Sequence, residues 1–289
     1  MRYKGMVIRP PSEAGSYILQ VAYGCSHNTC TFCPTYNGQK FEPRDIGEIL
    51  EDIEVASLQI RGTRRVFLAD GNALCLPMDT LTTIISALRE AFPRLERVGI
   101  YANGKDINDK SGEELGELAD LGLGIIYLGL ESGDDRVLKR VRKRDSSEDM
   151  INAVLKAKGS GIATSVIVLL GLAGVEGSHD HAVMSGQVAS RMNPDFLSAL
   201  TLMVVPGTPL YQEQEAGDFV LPTQLGLLEE LRCFLEHCEL SGCVFRTNHA
   251  SNYLPLKGIL SRDREDLLYI IDAAIQRPEL LRPEHMRGL

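Results

Sequence analysis

The chain has 289 residues, room for two average domains or one α/β barrel, and its 44% hydrophobic and 24% charged residues are those of a globular protein. That composition excludes a disordered chain, a collagen-like rod and a disulfide-scaffold miniprotein. Thirty basic against 39 acidic side chains give a net charge of −9, which disfavours nucleic acid as a partner.

In chain order, residues 18–23 form an apolar run that reads as a strand and stops at Gly24. Ile46, Ile49, Leu50, Ile53 and Ile60 then recur near helical spacing. Residues 65–68 are strand-like and stop at Asp70-Gly71-Asn72. Leu81, Ile84, Ile85 and Leu88 make a helical stripe closed by Pro93. Residues 97–101 predict a strand before Ala102-Asn103-Gly104, and Leu115, Leu118 and Leu121 a helix stopped by Gly122. Residues 125–130 predict a strand ending at Glu131-Ser132-Gly133, and 147–158 a helix closed by Gly159 and Gly161. A strand over 164–170 ends at Gly171, a helix covers 179–192, and a strand over 196–205 ends at Pro206-Gly207. Beyond it, helices are expected at 221–240 and 262–275, with a polar, irregular stretch at 245–253 between them. The tail from 277 to 289 reads as loose.

Six strand–helix steps with short connections predict an α/β fold with a parallel sheet. Six units are too few for a closed eight-stranded barrel; an incomplete barrel and a doubly wound sheet both fit the pattern. Either way function belongs at the C-terminal strand ends, where the polar and glycine residues gather. The uncharged stretch 162–175 is shorter than the ~20 residues a bilayer needs, and the stretch 196–212 contains Pro206 and Pro209, so no membrane span is expected. No secretion signal is read at the start. With seven cysteines, an odd number, this points to a reducing, cytoplasmic setting in which clustered thiols serve metals or catalysis.

The sharpest feature is the segment Tyr23-Gly24-Cys25-Ser26-His27-Asn28-Thr29-Cys30-Thr31-Phe32-Cys33, with the spacing Cys-x4-Cys-x2-Cys directly after the first strand. Three thiolates in one loop suit one face of an iron–sulfur cube and leave the fourth iron open. Cys25, His27, Cys30 and Cys33 also make a possible zinc set. Cys233, Cys238 and Cys243 are spaced by five, which does not keep to one helical face; whether they bind metal stays open.

With these cysteines, the Gly-Leu-Glu-Ser-Gly run at 129–133 and the strand order, the chain resembles the radical S-adenosylmethionine superfamily. Its subgroup holds oxygen-independent coproporphyrinogen oxidase, the elongator catalytic subunit, the methylthiotransferases and the anaerobic Mg-protoporphyrin cyclase. The family's common spacing is Cys-x3-Cys-x2-Cys, one residue shorter in the first gap. The resemblance implies a partial (β/α)6 TIM-like barrel over residues 1–205 and a mainly helical extension over 206–289 that closes the substrate side. It implies a 4Fe-4S cluster on Cys25, Cys30 and Cys33, with S-adenosylmethionine chelating the fourth iron. Cleavage of that molecule to a 5′-deoxyadenosyl radical would precede hydrogen abstraction from a small organic substrate. A flavodoxin or ferredoxin would supply the electron. Cofactor contacts are implied for Phe32, Asp70, Gly71, Asn72, Tyr101, Glu131, Ser132, Ser165 and Gly171. On the substrate side Tyr23, Asn248 and His249 are the catalytic candidates, with Arg246, Asn252 and Tyr253 nearby in sequence. Modification of tRNA, and a non-enzymatic Fe–S or zinc module, are the alternative functions.

Overall fold

The computed structural model describes residues 2–288. Its elements in chain order are β1 (Tyr17–Gln20), β2 (Ala22–Tyr23), β3 (Glu42–Pro43), α1 (Ile46–Gln59), β4 (Arg65–Ala69), α2 (Met78–Ala91), β5 (Arg97–Tyr101), α3 (Gly104–Asn108), α4 (Gly112–Leu121) and β6 (Leu123–Glu131). There follow α5 (Asp135–Arg140), α6 (Ser147–Gly159), β7 (Ala163–Leu170), α7 (Gly174–Met192), β8 (Phe196–Thr201), α8 (Pro209–Ala216), α9 (Gln224–Glu236), β9 (Val244–Arg246), β10 (Lys257–Ile259) and α10 (Arg264–Gln276). The six expected strand–helix steps are all present, and the fold class is α/β with a mostly parallel sheet.

Local chemistry sets the boundaries. The Asp45 carboxylate caps α1 by accepting from the Glu48 amide at 3.2 Å. Ser111 and Glu114 form a capping box at the start of α4, and Gly122 ends that helix at a φ of 112°. Leu81, Ile84, Ile85 and Leu88 are the buried face of α2, as their spacing predicts.

The chain divides into two compact units, the first made of Met1–Thr29, Thr35–Leu128 and Asn152–Thr164, the second of Cys30–Pro34, Gly129–Ile151 and Ser165–Leu289. In the first, β1 pairs in parallel with β4, β4 with β5 and β5 with β6. Beneath β1 lies a buried carboxylate, Glu13, that accepts from Ser16, Arg97 and Tyr127. In the second, β7 pairs in parallel with β8 and β8 with β9, whereas β10 runs antiparallel to β9.

Two expectations change here. The polar stretch after α9 is not irregular throughout, because Val244–Arg246 forms β9 and pairs with β10. The tail is not loose. Arg282 donates to the carbonyls of Ala250 at 2.8 Å and Asn252 at 3.0 Å, and Arg287 donates to Ser251 O at 2.7 Å while its guanidinium covers the Tyr253 ring at 4.1 Å. Arginine forks satisfy a run of turn carbonyls that composition alone does not reveal. Among the described residues, no helix is long and apolar enough to cross a membrane.

Candidate functional site

The first unit builds a network at the end of β4. The turn Asp70-Gly71-Asn72 follows that strand, and Asp70 and Asn72 are buried. Asn72 Oδ1 accepts from the Ser26 amide at 2.8 Å and from Cys25 Sγ at 3.3 Å. Its Nδ2 donates to Ser26 Oγ and to Asp106 Oδ2, each at 2.7 Å. Asp106 also accepts from the Asn103 amide at 2.8 Å. One amide side chain therefore links the cysteine loop to the N-terminus of α3. Asp70 is held from two sides, by Gln20 Nε2 at 3.0 Å and by the Tyr36 hydroxyl. Burial and the Asp70 carboxylate push the Tyr36 hydroxyl well above the ordinary tyrosine pKa.

Gly71 explains how close this turn comes. A Cβ on it would lie 2.4 Å from Gly24 O and 2.5 Å from Cys25 Cα. Only glycine lets the backbone approach the cysteine loop to this depth. Sequence reasoning found Asp70, Gly71 and Asn72 but missed Tyr36 and Asp106. The Asn103-x-x-Asp106 spacing, a capping pattern, was the available signal for Asp106.

Tyr101 sits at the end of β5 with its ring edge-on to Phe67 at 4.9 Å and 6.2 Å from Tyr127. Tyr23 lies half-buried in β2 with Lys4 Nζ 4.5 Å from its ring centre.

The second unit carries Cys30, Cys33 and Phe32. Phe32 packs against the cluster of Val137, Val141, Leu172, Leu202 and Leu210. Glu131 ends β6 at a φ of 62°, a left-handed conformation that costs a non-glycine residue ~1–3 kcal/mol. Its carboxylate accepts from Lys143 Nζ at 3.2 Å, and both side chains are largely buried. Burial opposes the Lys143 charge, but Glu131 and Cys30 outweigh it and hold the ammonium above its usual pKa. Lys143 was not found from sequence, since only folding brings it beside Glu131.

Ser132 is fully buried. Its Oγ accepts from the Asp134 amide at 3.0 Å and meets His181 Nδ1 at 2.7 Å. Gly171 has a φ of 86°, and its amide donates to Glu230 Oε1 at 2.6 Å. Ser165 is buried in β7 and paired in register with Phe196. His181 and Glu230 were missed as well; a histidine on α7 and a glutamate on α9 give no sequence signal of their proximity.

Of the substrate candidates, Tyr23 lies in the first unit, whereas Asn248, His249, Asn252 and Tyr253 follow β9 in the second. His249 Nδ1 lies 3.1 Å from the Ser251 amide, which donates to it, and 2.9 Å from Ser251 Oγ. Burial and Arg282 lower its pKa. Asn248 is exposed. Asn252 is structural: it bonds Thr201 Oγ1, Ala199 O and Thr247 O, each at 2.9 Å.

All seven cysteines are free. Cys238 and Cys243 are buried, and burial together with Cys243 pushes the Cys238 thiol up. Among the described residues, no three His, Cys, Asp or Glu side chains gather as they would around a single metal ion. A 4Fe-4S cube makes a different demand, because each thiolate takes its own iron. Cysteine sulfurs are the soft donors such a group takes; in the first unit the side-chain-free cradle at Gly71 lies against Cys25, and in the second the buried Lys143 cation acts on Cys30.

Residues 19–183 match the family model described as the Radical SAM superfamily. The heme chaperone HemW of Buchnera aphidicola is 21% identical over 193 residues, which are 64% of this chain and 50% of that protein. A tRNA-2-methylthio-N(6)-dimethylallyladenosine synthase of Mycolicibacterium vanbaalenii is 27% identical over 221 residues, 69% of this chain and 41% of the relative. The chain thus spans about half the length of such curated relatives. Among solved structures, coproporphyrinogen III oxidase of Escherichia coli superposes with a TM-score of 0.58 at 18% identity, covering 76% of this chain and 52% of that one. Methylornithine synthase gives a TM-score of 0.56 at 19% identity, covering 78% and 64%. These likenesses carry the TIM-like partial-barrel fold. The family match covers more than half of the chain, and the protein belongs to the Radical SAM superfamily, enzymes that work with a 4Fe-4S cluster and S-adenosylmethionine.

Proposed function

We propose that the chain is a radical S-adenosylmethionine enzyme acting on a small organic substrate, with residues 1–205 as the barrel and 206–289 as the extension over the substrate side. One observation carries the reading: the cysteine loop is seated on the Asp70-Gly71-Asn72 turn, at a glycine that leaves no room for a side chain.

Cys25, Cys30 and Cys33 would hold the cluster. When bound, the cluster supplies the single electron that splits the sulfonium into methionine and a 5′-deoxyadenosyl radical, which takes a hydrogen atom from substrate. The chain's own residues position and shield. Asn72 orients the cysteine loop through Ser26 and Cys25. Asp70, fixed by Gln20 and Tyr36, presents a carboxylate edge suited to an ammonium group. Glu131 at its strand end is placed to accept from ribose hydroxyls, and Lys143 offsets nearby negative charge. Phe32 on its apolar cluster offers a surface for adenine. Tyr23, Asn248 and His249 remain the substrate-side candidates, and a flavodoxin or ferredoxin the electron donor. We place the enzyme in the cytoplasm.

The relatives named for tRNA modification supply the second reading, against which the net charge of −9 stands. Anaerobic reconstitution with iron and sulfide, reduction with dithionite and addition of S-adenosylmethionine should yield 5′-deoxyadenosine. A fully loaded, reduced protein that makes none, alone or with cell extract, overturns the proposal. Cys30→Ala should fail to retain a full cluster by iron analysis.

A further inference from the structure

The second unit contains a buried chain of polar groups, of which His181, Ser185 and Glu230 have no part in the proposed reaction. It runs from the strand end of β6 through α7 to α9 and back to the strand end of β7. Ser132, His181, Ser185 and Glu230 are all buried.

Two backbone donors and one carboxylate set the direction of these hydrogen bonds. The Asp134 amide donates to Ser132 Oγ at 3.0 Å. A neutral ring that turns its N–H toward the Glu230 carboxylate accepts at Nδ1, so the Ser132 hydroxyl donates to it over 2.7 Å. Ser185 Oγ accepts from the Gly133 amide at 2.8 Å and stands 3.5 Å from the same ring nitrogen. With Nδ1 accepting, a neutral His181 carries its proton on Nε2. Nε2 is buried without a hydrogen-bond partner and faces Glu230 Oε1 at 3.5 Å. That oxygen already accepts from the Gly171 amide at 2.6 Å, and Glu230 Oε2 accepts from Ser178. The gap is longer than a good hydrogen bond, and a shift of about half an ångström closes it.

We infer that His181 and Glu230 are positioning residues that lock the Ser132-Gly133 and Gly171 strand ends into one register, so that a residue of α9 sets the geometry of the S-adenosylmethionine site. This rests on the cofactor reading above, which gives Ser132 and Gly171 contacts with that molecule. The glycines agree with it. A Cβ on Gly133 would meet Met184 O at 2.3 Å, and one on Gly171 would meet Leu227 Cδ2 of α9 at 2.9 Å. Both loops are thus pressed directly onto the helices that carry the relay.

The relay is sensitive to protons. Burial raises Glu230 to about 7, against the pull of Ser178 and Gly171. Burial lowers His181 to about 4, against Asp134 and the Leu169 carbonyl. Asp134 is held by Arg136 at 2.8 Å, and Cys233 on α9 also faces Glu230. The ring is therefore neutral at neutral pH. Protonating Glu230 turns one of its oxygens into a donor and weakens the negative charge that faces Gly171, Ser178 and the His181 ring.

Two measurements test this. In cluster-loaded full-length protein, S-adenosylmethionine affinity is measured from pH 6 to 8 for wild type, Glu230→Gln and Glu230→Ala. Glu230→Gln should stay folded with full iron content, bind about tenfold more weakly at pH 8, and retain only the pH response of the ligand's own amino group. Glu230→Ala should be weaker still. Wild-type affinity and an unchanged pH profile in Glu230→Gln overturn the relay. Independently, 15N-histidine NMR of the metal-free chain should show His181 with its proton on Nε2, and the Nδ1–H form overturns the relay. If wild type fails to bind S-adenosylmethionine at any pH, the cofactor reading falls, while the NMR result still decides the relay.

Discussion

Each unit ends its strands in a buried polar network, and the two are built differently. In the first, the hub is an amide: Asn72 has its oxygen and its nitrogen both engaged, by Ser26, Cys25 and Asp106. In the second, the hub is an imidazole facing a carboxylate, with one ring nitrogen unpartnered at 3.5 Å. An amide does not titrate, so the hub of the first network keeps the same donors and acceptor at every pH. The second can change its hydrogen bonding when Glu230 takes up a proton. Rigidity lies under the first cysteine, and adjustability lies where sugar and base contacts are proposed.

The contrast is broken most severely at the glycine cradles. Gly71→Ala puts a Cβ 2.4 Å from Gly24 O, a backbone atom that cannot swing aside. The loss should reach ~3 kcal/mol or more, read from the urea midpoint, with cluster retention falling in parallel. If stability drops while iron content stays full, the cradle supports the fold and not the cluster.

Next comes pH. Glu230 is raised from 4.5 to about 7, so its contribution is present below 4.5 and is lost as pH rises through 7. His181 is lowered from 6.5 to about 4, so its contribution is present above 6.5 and is lost as pH falls through 4. The two slopes oppose each other between 4.5 and 6.5, and this pair should add little pH dependence to wild-type stability there. Glu230→Gln should unmask the His181 slope, and His181→Asn the Glu230 slope, each worth ~3 kcal/mol over its window. Chemical denaturation at several pH values checks the signs. Parallel curves for all three proteins would show that the two groups do not titrate as described.

Asn72→Ala should cost ~2 kcal/mol, because it removes one donor from the buried Asp106 carboxylate and the acceptor at Asn72 Oδ1 from the Ser26 amide. The smallest effect is expected from Tyr36→Phe, about 1–2 kcal/mol, since Asp70 keeps Gln20.

Much of this architecture was legible in the residues. Period and punctuation located the strand–helix steps, because Gly24, Asp70-Gly71-Asn72, Gly122 and Gly171 mark strand and helix ends chemically. The cysteine loop was legible because its spacing is dense and polar. Partners distant in sequence were not. Lys143 reaches Glu131 across 12 positions, and Glu230 reaches Gly171 across 59. Nothing in local periodicity encodes such pairings, which arise from packing of whole elements. Tail arginines escaped for the same reason: their acceptors are carbonyls, which every residue has.

The Glu13 carboxylate has a consequence for the order of assembly. It is buried, yet its acceptors' partners Arg97 and Tyr127 lie 84 and 114 positions further along the chain. Glu13 therefore cannot meet these two donors until β6 has been synthesised. Contacts that close loops of this length form slowly. Until then an unpaired carboxylate stays in water, where it is soluble and harmless, and its desolvation marks the moment at which the first unit closes.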